Sequence, residues 1–165
     1  AALQQGNPSA LGHTLYSGPM KTVLLLLLLL GGLPAQASDL QQLQRTLLRH
    51  GFRIVVRQPP GRAYGRFIPA HKRLEISPLV RELGITRAVL LHEAVHAAQS
   101  CPDGRLSLLG IQRSVDPAVS SRIRFILRGY DPHHSPALEQ EAFVIQSQPD
   151  AEALLIAALN QRCTP

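Results

Sequence analysis

The residues best equipped for chemistry lie in Leu91-His92-Glu93-Ala94-Val95-His96-Ala97-Ala98-Gln99, where two histidines enclose a glutamate in the pattern His-Glu-x-x-His. On a helix, positions four apart share a face, so both imidazoles can reach one ion. Zinc suits the pair. It takes neutral imidazole nitrogens at about 2.0–2.1 Å, and its catalytic sites combine three protein ligands with a fourth position left for water. The metal makes that water acidic enough to attack near neutral pH, and a neighbouring carboxylate can accept the proton. His92 and His96 are therefore the candidate metal ligands, and Glu93 is the candidate general base. The plainer alternative is an amphipathic helix with histidines at the edge of the core.

The flanking residues favour a helix in the right place. Thr86 is a candidate N-cap, Ala88 to Leu91 lead into the pattern without a breaker, and Cys101-Pro102-Asp103-Gly104 end it. A third ligand must come from elsewhere. Ser135-Pro136 opens a helix from Ala137 to about Ser147 that carries Glu139-Gln140-Glu141-Ala142-Phe143, so Glu139 and Glu141 are the candidates. Peptide hydrolysis also needs a group to stabilise the developing oxyanion. Tyr130, His133 and His134, in the polar loop just before that helix, are the candidates, each with a plain surface or core-edge alternative.

The order His-Glu-x-x-His followed on a later helix by Glu-x-x-Ala resembles the gluzincin metallopeptidases, here in a small exported bacterial form. The likeness covers Thr86 to about Gln148, and the preceding strands agree in order only. The resemblance implies a zinc peptidase with Glu139 as third ligand, leaving Glu141 as the alternative or as a residue outside the metal's own ligands. One departure stands out. Where the extended family pattern has Asp, this chain has Phe143, so the carboxylate that would orient a ligand must come from elsewhere, with Asp131 and Glu141 as candidates.

The start of the chain has a different character. Residues 1–19 show no sustained periodicity and read as an upstream extension rather than part of the natural protein. From Met20, a short positive region at Lys21, a leucine run to Leu30, a Gly-Gly-Leu-Pro break and Ala35-Gln36-Ala37 spell a secretory signal peptide over residues 20–37. The run is far shorter than the roughly twenty residues needed to span a bilayer, so no stable membrane span is expected after cleavage. Residues 38–165 are then expected to be a single exported domain, periplasmic or secreted. In that setting Cys101 and Cys163 are a candidate disulfide pair, closing a long loop onto the end of the metal helix.

Before the metal helix, Asp39 is a candidate cap for a helix to about His50, with Leu40, Leu43, Leu47 and Leu48 on one face. Phe52 to Val56 reads as a strand, and Ala63–Ile68 and Arg73–Ile76 as the arms of a hairpin turning through Pro69 to Lys72, with His71 exposed. After it, the type of the apolar segment Leu106–Ile111 stays open. Asp116-Pro117 starts a helix striped by Val119, Ile123, Ile126 and Leu127, and a last helix runs from Ala151 to Asn160.

The chain carries a net charge of +6. The arginines are scattered singly, with no basic run and no aromatic stripe to stack bases, which argues against nucleic acid. The sequence thus implies an α+β domain: an N-terminal helix, a small antiparallel sheet, the His-Glu-x-x-His helix and C-terminal helices in a minimal zincin-like arrangement. The implied function is zinc-dependent hydrolysis of a peptide or protein substrate. The alternatives are a non-catalytic zincin-like domain that binds a cell-envelope partner, and a basic envelope-surface binder without metal.

Overall fold

The structure, a computed structural model, describes residues 38–129 and 135–163. The signal-peptide stretch, the extension before it, and Tyr130, Asp131, His133 and His134 lie outside these residues. Among the described residues, six helices and a three-stranded sheet make an α+β fold.

Helix α1 spans Asp39–Arg49. Its N-cap is Ser38, one residue before the expected Asp39: the Ser38 hydroxyl accepts from the Gln41 N–H at 3.3 Å and the Gln41 side chain accepts from the Ser38 N–H at 3.3 Å. This reciprocal box satisfies two donors that a helix start leaves free, while Asp39 sits in the first turn and complements the helix dipole. Leu43 and Leu47 are buried, but Leu48 turns outward, so the apolar face is narrower than the leucine spacing suggests.

The strands are β1 (Arg53–Val56), β2 (Gly65–Ile68) and β3 (Arg73–Ile76). The expected hairpin of β2 and β3 is present and antiparallel, turning through a short 3-10 segment at Pro69–His71. The sheet as a whole is not antiparallel. β1 pairs with β3 in parallel, giving the order β1-β3-β2 with β2 at an edge. Residues 57–64 carry the chain past β3, so the strand that follows β1 in sequence is not its neighbour in space.

A single turn, α2 (Leu79–Glu82), precedes α3 (Thr86–Gln99). Thr86 is the first helical residue rather than the cap; Ile85 holds the cap position and offers no side-chain bond. Burial holds α3 instead: every residue from Leu90 to Gln99 is buried. Each buried leucine or valine is worth about 1.5–3 kcal/mol, against about 1 kcal/mol for a good cap. The helix is the hub of the fold, packed by β2, β3, α5 (Pro136–Gln146) and α6 (Ala151–Arg162), while α1 packs mainly on α6. α4 (Pro117–Leu127), capped by Asp116, lies against α5.

Two cross-ties fix α3 against α6. At one end Arg87 Nε and Nη2 each donate to the Glu152 carboxylate at 2.6 Å. At the other, Cys101 and Cys163 form the expected disulfide, and Arg162 donates to Leu108 O at 2.9 Å and Ser107 Oγ at 2.7 Å. The segment from Leu106 to Ile111, open in the sequence reading, has no regular secondary structure.

Candidate metal centre

The four-residue spacing on α3 places His92 and His96 one above the other, with Nε2 atoms 3.2 Å apart. α5 brings the third group. Ala142 and Ile145 of α5 are fully buried, and the small side chain of Ala142, three residues after Glu139, lets the two helices approach closely. Glu139 Oε2 consequently lies 3.1 Å from His92 Nε2 and Glu139 Oε1 lies 3.5 Å from His96 Nε2.

These three residues could hold a metal ion, their donor atoms all lying within 4.8 Å of one another. The separations suit a tetrahedral site. Ligand atoms at about 2.0–2.1 Å from a tetrahedral zinc stand about 3.3 Å apart, and the observed 3.1, 3.2 and 3.5 Å bracket that edge.

The outer ring nitrogens are held by amides. Gln99 Oε1 meets His96 Nδ1 at 2.7 Å, while Gln99 Nε2 donates to Leu138 O at 3.2 Å and to Glu141 Oε2 at 2.9 Å. Both partners of that Nε2 are acceptors, so the oxygen faces the imidazole and His96 carries its proton on Nδ1. Nε2 is left as the atom aimed into the cluster, where it can bind the Glu139 carboxylate when protonated and a metal when the ring is neutral. Gln146 Oε1 meets His92 Nδ1 at 2.8 Å.

Glu141 does not join the cluster. Its carboxylate takes the Gln99 amide and the N–H groups of Leu109 and Gly110, each at 2.8 Å, and so ties the irregular segment to the histidine helix. Phe143, where a carboxylate would complete the family pattern, lays its ring against His92, with centroids 4.6 Å apart.

Glu93 faces the sheet. Its carboxylate lies under β2, where the Phe67 N–H donates to it and where Gly65 leaves room for it. Burial pushes its pKa above the ordinary glutamate value, and the adjacent histidines pull it back only in part. For Glu139, burial also pushes upward, but hydrogen bonds and charge from His92 and His96 outweigh it and bring the pKa down to about 2. Burial alone would lower His96, yet Glu139 lifts it above the usual histidine value.

A cleft of about 930 Å³ opens over the cluster, lined by Arg62, Arg66 and Phe67, by Leu106 and Gly129, and by His92, Glu93, His96 and Glu139. Comparison with protein-family models, curated proteins and solved structures finds no match. The functional assignment therefore rests on the site itself.

Of the sequence-derived candidates, His92, Glu93, His96 and Glu139 come together; Glu141 stands one residue removed, behind Gln99; Tyr130, His133 and His134 lie outside the described residues. Gln99, Gln146 and Gly65 were not singled out. Their signals were present: Gln99 follows His96 by three, Gln146 follows Glu139 by seven on the same helix face, and a glycine inside a strand marks close approach.

Proposed function

We propose that this chain is a small zinc-dependent peptidase of gluzincin-like type, with His92, His96 and Glu139 as metal ligands and Glu93 as general base. The observation that carries the reading is the convergence of two imidazole Nε2 atoms and a carboxylate at tetrahedral spacing, with a second carboxylate beside them in the lining of a cleft. Zinc fits this donor set of two imidazoles and one carboxylate, and when bound it would acidify a water molecule and polarise a carbonyl.

The chain's own residues supply the rest. Glu93 takes a proton from the attacking water and passes it to the leaving amine, its carboxylate steadied by the Phe67 N–H. Peptides are the substrate class because β2 pairs only with β3 among the described strands, leaving its other edge able to hydrogen-bond an extended backbone next to Glu93. The oxyanion role falls to Tyr130, His133 or His134, which follow Gly129 at the cleft wall. Export belongs to the same reading and is supported by the Cys101–Cys163 bond, since such bonds persist in oxidising compartments.

Elemental analysis of the purified protein tests the centre. The expected result is about one zinc per chain, lost in His96→Ala and in Glu139→Ala. Glu93→Gln should keep the zinc and lose hydrolysis of an unfolded protein substrate. No zinc after resupply would sink the proposal. Zinc without turnover would favour a non-catalytic zincin-like domain that binds a cell-envelope partner, a reading that Phe143 in place of a carboxylate supports.

A further inference from the structure

The face of the sheet turned away from α3 carries charge that the core does not use, and of its arginines Arg66 also reaches the lining of the cleft. Side chains alternate across a strand. Ile54, Phe67, Leu74 and Ile76 belong to the core side, and Gly65 meets Glu93 on that side. The opposite face therefore holds Arg53 and Val55 of β1, Arg73 and Glu75 of β3, and Arg66 and Ile68 of β2. The strand register sets them in two rows, Arg53 beside Arg73 beside Ile68, and Val55 beside Glu75 beside Arg66. Arg57, just past β1, reaches the same face, its guanidinium 3.5 Å from Glu75.

Four guanidinium groups thus share this face with one carboxylate. Arg73 pairs with Glu75 at 3.0 Å, and the Glu75 side chain is only 4% exposed beneath its partners. Arg53 and Arg66 are exposed and make no ion pair among the described residues. The face therefore gathers four cations and one anion, and the excess positive charge is left for an external anion. The helices on the sheet, α3 and α1, both contribute to the core side.

We propose that this arginine face seats the protein on an anionic lipid surface, its guanidinium groups taking the phosphates of the headgroups. Arginine suits that partner because its planar fork binds phosphate oxygens two at a time. The chemistry favours a membrane over nucleic acid: the face is built of strand residues and carries no aromatic ring for a base to stack on. Val55 and Ile68, between the arginines, are apolar and half-buried, and can rest at the headgroup boundary. Binding is peripheral, for no described helix is long and apolar enough to cross a membrane. It needs neither zinc nor Glu93, so it stands or falls apart from the peptidase reading.

The test is co-sedimentation with vesicles of phosphatidylcholine containing phosphatidylglycerol, against vesicles of phosphatidylcholine alone. The protein should bind the anionic vesicles, release as salt rises, and ignore the neutral ones. Each arginine near such a surface strengthens partitioning about fivefold. The double variant Arg53→Gln/Arg66→Gln, which leaves both partners of Glu75 in place, should therefore bind at least about tenfold more weakly, with an unchanged melting temperature. The same charge removed elsewhere, in Arg122→Gln/Arg128→Gln on α4 and at its C-cap, should cost much less. Failure to bind anionic vesicles, an equal loss in the α4 variant, or a preference for duplex DNA over vesicles would each overturn the proposal.

Discussion

Gly65 of the edge strand stands directly over the side chain of Glu93. A β-carbon at Gly65 would lie 2.8 Å from Glu93 Cγ and 2.7 Å from Val89 Cγ1, and would also run into the Glu93 carboxylate. Real β-carbons do not make such contacts, so the strand can sit this low over α3 only with glycine at that position. The close seat lets the Phe67 N–H reach the Glu93 carboxylate.

Gly65→Ala should therefore displace Glu93 while leaving the metal ligands where they are. Displacing a catalytic group by about 1 Å can cost about 100-fold in rate. The expected result is a drop in kcat of that order with zinc content unchanged, read by steady-state kinetics and elemental analysis on the same sample. Full activity in Gly65→Ala would mean that Glu93 does not need this position.

The amide partners of the two histidines make a separate prediction. Removing a group that orients a metal ligand lowers metal affinity by about 10–100-fold. Gln99→Ala and Gln146→Ala should each do so in a chelator competition. Gln99→Ala should have the larger effect because it also strips the Glu141 carboxylate of one of its donors. Unchanged affinity in both variants would leave the amides as bystanders.

The pH dependence should reverse with metal. Without metal, Glu139 sits at about 2 although burial opposes it, and His96 sits above its ordinary value although burial opposes that too. A lowered carboxyl stabilises the fold above its unfolded pKa of about 4.3 and loses that as pH falls towards about 2. A raised histidine stabilises fully below about 6.5 and loses that as pH rises through the folded value. Metal-free protein should thus melt highest at mildly acidic pH. Zinc requires neutral histidines, so the rise in Tm on adding zinc should be small at about pH 5 and large at about pH 8. A zinc effect that shrinks with rising pH would contradict the ligand set.

The sequence made local relationships readable and left the long-range ones hidden. His92, Glu93 and His96 could be placed because a helix converts a spacing of four directly into proximity, whereas the later helix left Glu139 and Glu141 both open and only the resemblance to the Glu-x-x-Ala pattern favoured Glu139. The pairing of β1 with β3 was not readable, since parallel neighbours depend on where residues 57–64 carry the chain and no periodicity records that path. The helix starts were misplaced by one residue at Ser38 and at Ile85. Ser and Asp are both good caps, so adjacent ones cannot be ranked by type, and burial can hold a helix whose cap offers nothing. Gln99 and Gln146 look like ordinary polar helix residues until the ring nitrogen that each one faces is known.

The last prediction concerns the disulfide and separates the stability of the fold from the integrity of the site. Cys101 and Cys163 are 62 residues apart in sequence, and their bond closes almost the whole C-terminal half onto the end of α3. In the chain-entropy account, opening a loop of that length costs about 4 kcal/mol through the extra freedom of the unfolded chain. The folded state has a second tie at the same place, because Arg162 bonds Ser107 and Leu108 whether or not the sulfurs are joined. Cys101→Ser/Cys163→Ser should therefore unfold at a much lower urea concentration, with a steeper dependence as the unfolded chain exposes more surface. In the absence of urea it should still bind zinc with the affinity of the unaltered protein, since His92, His96, Glu139 and their amides lie on α3 and α5 rather than at the bond. A loss of zinc affinity in the folded variant would mean that the bond also holds the C-terminal end of α3, and with it Gln99, in register.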